Sequence, residues 1–261
     1  MNRTGLTIAL TMGFVVGVIC AVDPLLDLDL ARMFRDPEFA SFVFVVNAQP
    51  WVQYTREAAR LIVTLLALPG FLAVAGKLIW PQRRMLIEGR AALFLVATLA
   101  LGPGLLTNVI LKEHWGRPRP IDVMEFDGGN HFTPWWDARG ECSDNCSFIA
   151  GEPSSAFWTL APAALAPPEL RLVAYGAAIA FGAGIGLLRM AAGAHFFSDV
   201  VFAGVFTYLV IWAVHGFIYR WPATRLSEAA IEEFLARAGA ALRDGYAALA
   251  RRLAAVRGRG S

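Results

Sequence analysis

Three side chains that can do chemistry fall in the stretch Arg189-Met-Ala-Ala-Gly-Ala-His195-Phe-Phe-Ser-Asp199. Arg189 is a fixed cation. His195 and Asp199 are four residues apart, so a helix through both would set them on one face, one turn apart. A carboxylate so placed can hold one imidazole nitrogen and leave the other free to attack or to move protons. Gly193 permits a break between a helix that carries Arg189 and one that carries His195. The plainer reading is an ion pair between Arg189 and Asp199 at a loop end, with a bystander histidine.

Two further polar stations lie upstream. Lys112-Glu-His-Trp-Gly-Arg117-Pro-Arg119-Pro120 holds four cations when His114 is protonated. Its prolines stop a helix and stiffen the chain. Such a cluster can bind lipid headgroups or an anionic substrate. The other station is Cys146-Ser-Phe148-Ile149-Ala150-Gly151-Glu152-Pro153-Ser154-Ser155-Ala156-Phe157. A glycine turn entering a helix offers backbone N–H groups to an anion. Glu152 is either a carboxylate at a helix start, with Ser154 or Ser155 as cap, or a proton donor beside a phosphate site.

The elements that must position these stations are apolar. Of 261 residues, 57% are hydrophobic and 17% charged, too apolar for an ordinary soluble domain. Six stretches approach the length of a membrane span: 5–22, 58–79, 91–111, 155–167, 172–190 and 199–219. The fourth is short, contains Pro162 and can start nearer Phe148. The first is longer than the apolar core of a secretion signal and reads as a retained helix. The expected fold is therefore all-α, an integral membrane bundle of six transmembrane helices. Gly102-Pro103-Gly104 predicts a kink in the third. Arg83, Arg84, Arg90, Arg171 and the arginines after the sixth span place both termini inside. The three stations then face outward. Cations held on that side call for a reason, and an anionic substrate is one.

Other segments read as structural. Asp23-Pro-Leu-Leu-Asp-Leu-Asp-Leu-Ala-Arg-Met-Phe predicts an outer interfacial helix whose early acids suit the helix dipole. The loop 121–147 is acidic, and its acids form a solvated rim, repel the wrong anions or pair with Arg117. Its Trp135-Trp136 pair suits interface anchors or sugar stacking, and His131 is a second candidate proton donor beside His114. Cys142 and Cys146 form a disulfide, which would require a turn, or remain free thiols. Cys20 is a small packing residue. No His and Cys set has metal-ligand spacing. From Ser227 a stripe of Ile231, Leu235, Ala238, Leu242, Tyr246, Leu249 and Leu253 predicts an amphipathic cytoplasmic helix, backed by Arg237, Arg243, Arg251 and Arg252. It would lie on anionic lipid or join two copies, and the tail Arg257-Gly-Arg-Gly-Ser follows it. The expected division is 1–222 for the membrane domain, with its motif core at 91–219, and 223–261 for the helix and tail.

Lys112-x6-Arg119-Pro120 and Arg189-x5-His195-x3-Asp199 resemble the motifs of the type 2 phosphatidic-acid phosphatase superfamily, membrane branch. Leu188 stands where that family usually has serine. The resemblance spans roughly residues 60–219. It implies a six-helix membrane phosphatase with no metal or cofactor and a phosphohistidine intermediate. His195 would be the nucleophile, Asp199 would orient it and stabilise its charge, and Lys112, Arg119 and Arg189 would clamp the phosphate. His114 and Arg117 would be accessory. The family's Pro-Ser-Gly-His station departs here. Pro153-Ser154 keeps its first pair, whereas Gly151-Glu152 keeps the glycine and puts a protonatable group at the histidine position. The second register is preferred, with Ala150 replacing the serine and Glu152 as the acid. The resemblance implies a phosphorylated lipid substrate, lipid A or a related phosphoglycolipid being favoured, at the periplasmic face of a bacterial inner membrane. Alternatives are undecaprenyl diphosphate or phosphatidylglycerol phosphate, a lipid phosphotransferase, and a non-catalytic lipid-phosphate binder or transporter. Membrane lipids are the other partners, and nothing points to nucleic acid.

Overall fold

The computed structural model describes residues 3–34, 44, 46 and 49–257. The expected tail after residue 257 lies outside the described residues, as do the side chains of Arg251, Arg252 and Leu253. Among the described residues the elements are helical. Five helices are long and apolar enough to cross a membrane: α1 (Arg3–Val22), α3 (Pro50–Ile79), α4 (Gly89–His114), α7 (Pro168–Ala191) and α8 (Phe197–Arg220). Shorter helices are α2 (Leu26–Arg32), α5 (Gly151–Phe157) and α6 (Leu160–Leu165), and the last is α9 (Glu228–Arg257).

The expected fourth span is thus not one helix but two. Pro162 has no N–H for the carbonyl of Trp158, and its ring crowds that carbonyl, so the helix cannot run through. The Trp158 carbonyl instead accepts from Ala161 N at 2.8 Å, a tighter turn that closes α5 and opens α6. Pro153 and Pro162 each sit in a first turn, where the N–H would have no helical partner anyway.

The chain forms two compact units. The first comprises Met1–Leu66 with Ala97–His215. Here α5 and α6 are the inner element, with Pro153, Ser154, Ala156, Trp158, Leu160 and Ala161 buried. They pack against α7 and α8, and α5 also packs against α4. Polar groups inside this apolar setting are paired: Ser154 Oγ lies 2.9 Å from Thr107 Oγ1 and 2.8 Å from Thr207 Oγ1, and Trp158 Nε1 donates to Thr98 Oγ1 at 2.9 Å. The expected distortion near Pro103 appears as a π-helical stretch, Ala100–Leu111, that ends immediately before Lys112. Asn108 Nδ2 donates back to the Pro103 carbonyl at 2.7 Å.

The second unit comprises Ala67–Val96 with Gly216–Ser261. Ser227 Oγ accepts from Ala230 N at 3.1 Å and caps α9. Glu228 pairs with Arg90 at 2.9 Å, and Ile231 and Leu235 are buried. Gly239 lets α9 approach the backbone of Leu78. The apolar stripe of α9 therefore divides. Its front half packs on the chain's own helices, while Leu242, Tyr246 and Leu249 stay exposed.

Candidate active site

Each candidate residue sits at a helix end or in the loop beside it. Lys112 directly follows the π-stretch of α4, Gly151 and Glu152 open α5, and Arg189 lies in the last turn of α7. Gly193 has φ +66°, and a Cβ there would strike the ring of Phe44, so the break before α8 needs glycine. His195 lies in that break and is 4% exposed.

Because α8 starts at Phe197, His195 and Asp199 do not share a helical face as expected. The His195 Nδ1 donates to the carbonyl of Ser147 at 2.8 Å, whereas Asp199 Oδ2 is 4.0 Å from that nitrogen. A carbonyl can only accept, so Nδ1 carries the proton and Nε2 keeps its lone pair. Asp199 acts one bond further back. Its Oδ2 accepts from Ser147 Oγ at 2.5 Å and from Phe196 N at 2.8 Å. It holds the residue that holds the histidine.

The cations converge on this imidazole. Burial, and then the charges of Arg189, Lys112 and Arg119, keep His195 well below its ordinary value of 6.5, with the Ser147 carbonyl opposing them. Arg119 is fixed from the loop side, where its Nη2 donates to the Asn145 carbonyl at 2.7 Å. Arg189 Nε approaches Glu152 Oε2 to 2.9 Å, but off the N–H direction, so the contact is an ion pair without a hydrogen bond. Arg189 Nη1 is buried and has no hydrogen-bond partner among the described residues. A buried guanidinium N–H without an acceptor is uncommon, and an anion is the natural acceptor.

Glu152 differs from the expected free acid. Its oxygens lie 2.9 and 3.1 Å from Arg56 Nε, besides facing Arg189. A carboxylate engaged by two guanidinium groups has the geometry of a positioning group rather than of a proton donor. Arg56 was not anticipated, and neither was Asn108. A Cβ on Gly151 would lie 2.8 Å from Asn108 Oδ1 and 3.6 Å from Lys112 Nζ, so the glycine leaves an open face between them. Beside it lies a cavity of about 390 Å³ lined by Arg56, Arg60, Asn108, Lys112, Gly151 and Glu152, with apolar walls at Ala59, Val63 and Ile185. The other register, Pro153-Ser154, faces the packed interior.

Two expected accessory groups are placed elsewhere. Arg117 is fully buried. It donates to Thr133 O at 2.9 Å, Ser198 Oγ at 2.8 Å, Asp27 Oδ2 at 2.8 Å and Asp199 Oδ1, so its guanidinium is engaged by these groups behind His195. His114 is exposed and bonded to the Ile110 carbonyl at 3.0 Å. His131 is an exposed partner of Glu141 at 3.0 Å. Trp135 is neither an interface anchor nor a sugar platform, since it stacks on Phe148 and Phe202 and donates to Gly17 O at 3.2 Å. Cys142 and Cys146 are joined, with Cα atoms 5.7 Å apart in a non-helical loop. Asp27, which the sequence pattern assigned to a structural interfacial helix, reaches the ion pairs behind His195. Among the described residues no group of three or more His, Cys, Asp or Glu is placed to hold a metal ion.

Comparison with known proteins matches the PAP2 superfamily to residues 91–223, a span that includes Lys112, Arg119, Gly151, Arg189, His195 and Asp199. The chain is 35% identical over 222 residues to the lipid A 4′-phosphatase of Francisella tularensis subsp. novicida (strain U112), covering 84% of this chain and 98% of that protein. It is 42% identical over 118 residues to the lipid A 4′-phosphatase of Rhizobium leguminosarum, covering 45% of this chain and 50% of that protein. The corresponding protein of Rhizobium etli (strain ATCC 51251 / DSM 11541 / JCM 21823 / NBRC 15573 / CFN 42) is 41% identical over 118 residues, 45% of this chain and 46% of its own length. No solved structure matches the chain. The cation-lined pocket, the buried histidine and these relatives agree: the chain belongs to the PAP2 superfamily.

Proposed function

We propose that this membrane phosphatase removes the 4′-phosphate of lipid A, or of a closely related phosphoglycolipid, at the periplasmic face through a phosphohistidine intermediate. The observation that carries the reading is the buried Nη1 of Arg189, without a hydrogen-bond partner among the described residues, beside a neutral histidine. Phosphoryl transfer depends mostly on positioning and charge. Lys112, Arg119 and Arg189 neutralise the phosphate oxygens, and the N–H groups at the start of α5 add donors at Gly151. These cations supply the charge that a metal would otherwise bring.

The lone pair of His195 Nε2 attacks phosphorus in line. The bond from phosphorus to the sugar oxygen breaks, and the imidazole becomes cationic. Asp199, 4.0 Å from Nδ1, stabilises that cation. The leaving oxygen takes its proton from water entering the neighbouring cavity, whose 390 Å³ has room for several molecules. Water then attacks the phosphohistidine and releases phosphate. Glu152 keeps Arg189 aimed at the phosphate throughout. The lipid A assignment is supported by the Francisella relative, which aligns over nearly its whole length.

The test is phosphate release by detergent-purified protein, with EDTA present, from lipid A, phosphatidic acid, phosphatidylglycerol phosphate and undecaprenyl diphosphate. Mass spectrometry locates the phosphate lost. Release confined to the 4′ position of lipid A and abolished in His195→Ala is expected. Turnover that survives in His195→Ala removes the phosphohistidine route, and preference for another lipid removes the substrate assignment.

A further inference from the structure

Arg117, Asp27 and Asp199 form an ion triplet behind His195. All three are at most 1% exposed. One guanidinium is divided between two carboxylates, Asp27 Oδ2 at 2.8 Å and Asp199 Oδ1. Asp27 also accepts from Ser198 N at 2.9 Å and from Ser198 Oγ at 2.5 Å, which ties α2 to the first turn of α8. Arg117 Nε goes to the Thr133 carbonyl, and its plane lies 4.4 Å from the Phe196 ring centroid. The formal charges of the triplet sum to −1.

A buried ion cluster is a poor way to stabilise a fold, because desolvation offsets most of the attraction. The position of this one suggests another use. Asp199 is the member nearest His195, through Ser147 and at 4.0 Å directly. If Asp199 were the only carboxylate facing Arg117, the pair would be neutral and the imidazole would meet no net negative charge from that side. With Asp27 drawing on the same guanidinium, Asp199 keeps negative charge toward the histidine.

We propose that Asp27 is a positioning residue for the reaction at His195: it shares Arg117 so that Asp199 can stabilise the cation formed when Nε2 bonds to phosphorus. The proposal rests on the phosphatase reading. It extends that reading to α2, which lies outside the span matched to the superfamily. Asp27 touches neither the phosphate cradle nor the imidazole, so its effect belongs in turnover and not in substrate binding.

The experiment measures kcat and KM for lipid A with four proteins: wild type, Asp27→Asn, the double variant Asp27→Asn/Arg117→Gln, and Asp29→Asn. Asp29 lies on the same helix, exposed, in a surface pair with Arg32, and serves as the control. Asp27→Asn brings the triplet to zero charge and should lower kcat about 10- to 100-fold, the loss found when the group behind a metal-ligating histidine is removed. KM should stay within about twofold, since no ground-state contact is lost. The double variant restores the net charge of −1 and should regain about tenfold in kcat over the single. Asp29→Asn should match wild type. Elution as a single species, and inhibition by vanadate as in wild type, show that each variant is folded with its cradle intact. Wild-type kcat in Asp27→Asn overturns the proposal. So does an equal loss in Asp29→Asn, or a folded double variant no faster than the single. A wild-type protein that releases no phosphate from any lipid overturns the phosphatase reading itself, a result distinct from these.

Discussion

At His195 one hydrogen bond decides which nitrogen can react. The Ser147 carbonyl takes Nδ1–H, so Nε2 is the free lone pair. Burial and three neighbouring cations keep the ring neutral well below its ordinary value of 6.5. Activity that needs the neutral ring should therefore hold as pH falls through 6.5 and fail only well below it. Stability should behave differently. Below 6.5 the unfolded chain binds a proton that the folded one excludes, so folding weakens as pH drops. A pH profile of kcat/KM with its acid midpoint at the ordinary histidine value would count against the buried, cation-faced ring. Glu152 gives a second prediction. As a positioning carboxylate, its change to glutamine should lower kcat/KM by roughly 10- to 150-fold, the ~1.5–3 kcal/mol of a charged hydrogen bond. The loss should be equal for a phosphomonoester and for a diphosphate, whose leaving group needs no acid. A loss confined to the monoester would return Glu152 to the role of proton donor. His195, Arg189, Lys112 and Arg119 stood out in the sequence as candidates because family motifs fix their spacing. Arg56, Asn108 and Asp27 did not, because each is a single polar residue in an apolar or amphipathic stretch. Only the folded chain brings them to the motifs.

At the scale of elements, the site is built from interruptions. The π-stretch of α4 ends just before Lys112, the break at Trp158 and Thr159 shortens α5, and the turn at Gly193 separates α7 from α8. Each has a local cause in Pro103, Pro162 or a positive φ. The spans themselves were readable from apolar run length. The split of the fourth was hidden, because an apolar run records burial and not continuity, although Pro162 marked the place. Gly151 tests the proposed role of α5 in holding the phosphate. Alanine there suits a helix, which offsets part of the crowding it brings. Its methyl group would lie 2.8 Å from Asn108 Oδ1 and intrude on the face shared with Lys112. Gly151→Ala should therefore lower kcat/KM by at least about tenfold, a ~1.4 kcal/mol loss at the cradle, in a protein that still folds. Unchanged kinetics would show that the phosphate does not approach α5.

For the whole molecule, the question is which side of the membrane meets the substrate. Two independent features point the same way. The loop of Arg83 and Arg84 and the chain after α8 are rich in arginine, which favours the cytoplasm. The loop after α4 holds the Cys142–Cys146 disulfide, which persists where thiols are oxidised. Lys112, Gly151, Arg189 and His195 stand at the disulfide-bearing loop's end of α4, α5 and α7. A periplasmic site therefore satisfies both the charge bias and the redox chemistry, whereas a cytoplasmic one violates both. Gln82 and Ala138 are exposed and lie in the two kinds of loop. With Cys20 replaced by alanine, Gln82→Cys and Ala138→Cys can each be challenged with a membrane-impermeant maleimide on intact bacterial cells. Ala138→Cys should be labelled at once, and Gln82→Cys only after the inner membrane is opened. The reverse pattern would put the cations and the histidine in the cytoplasm. The enzyme would then have to take its lipid before export, and the periplasmic assignment would fall while the chemistry at His195 stood.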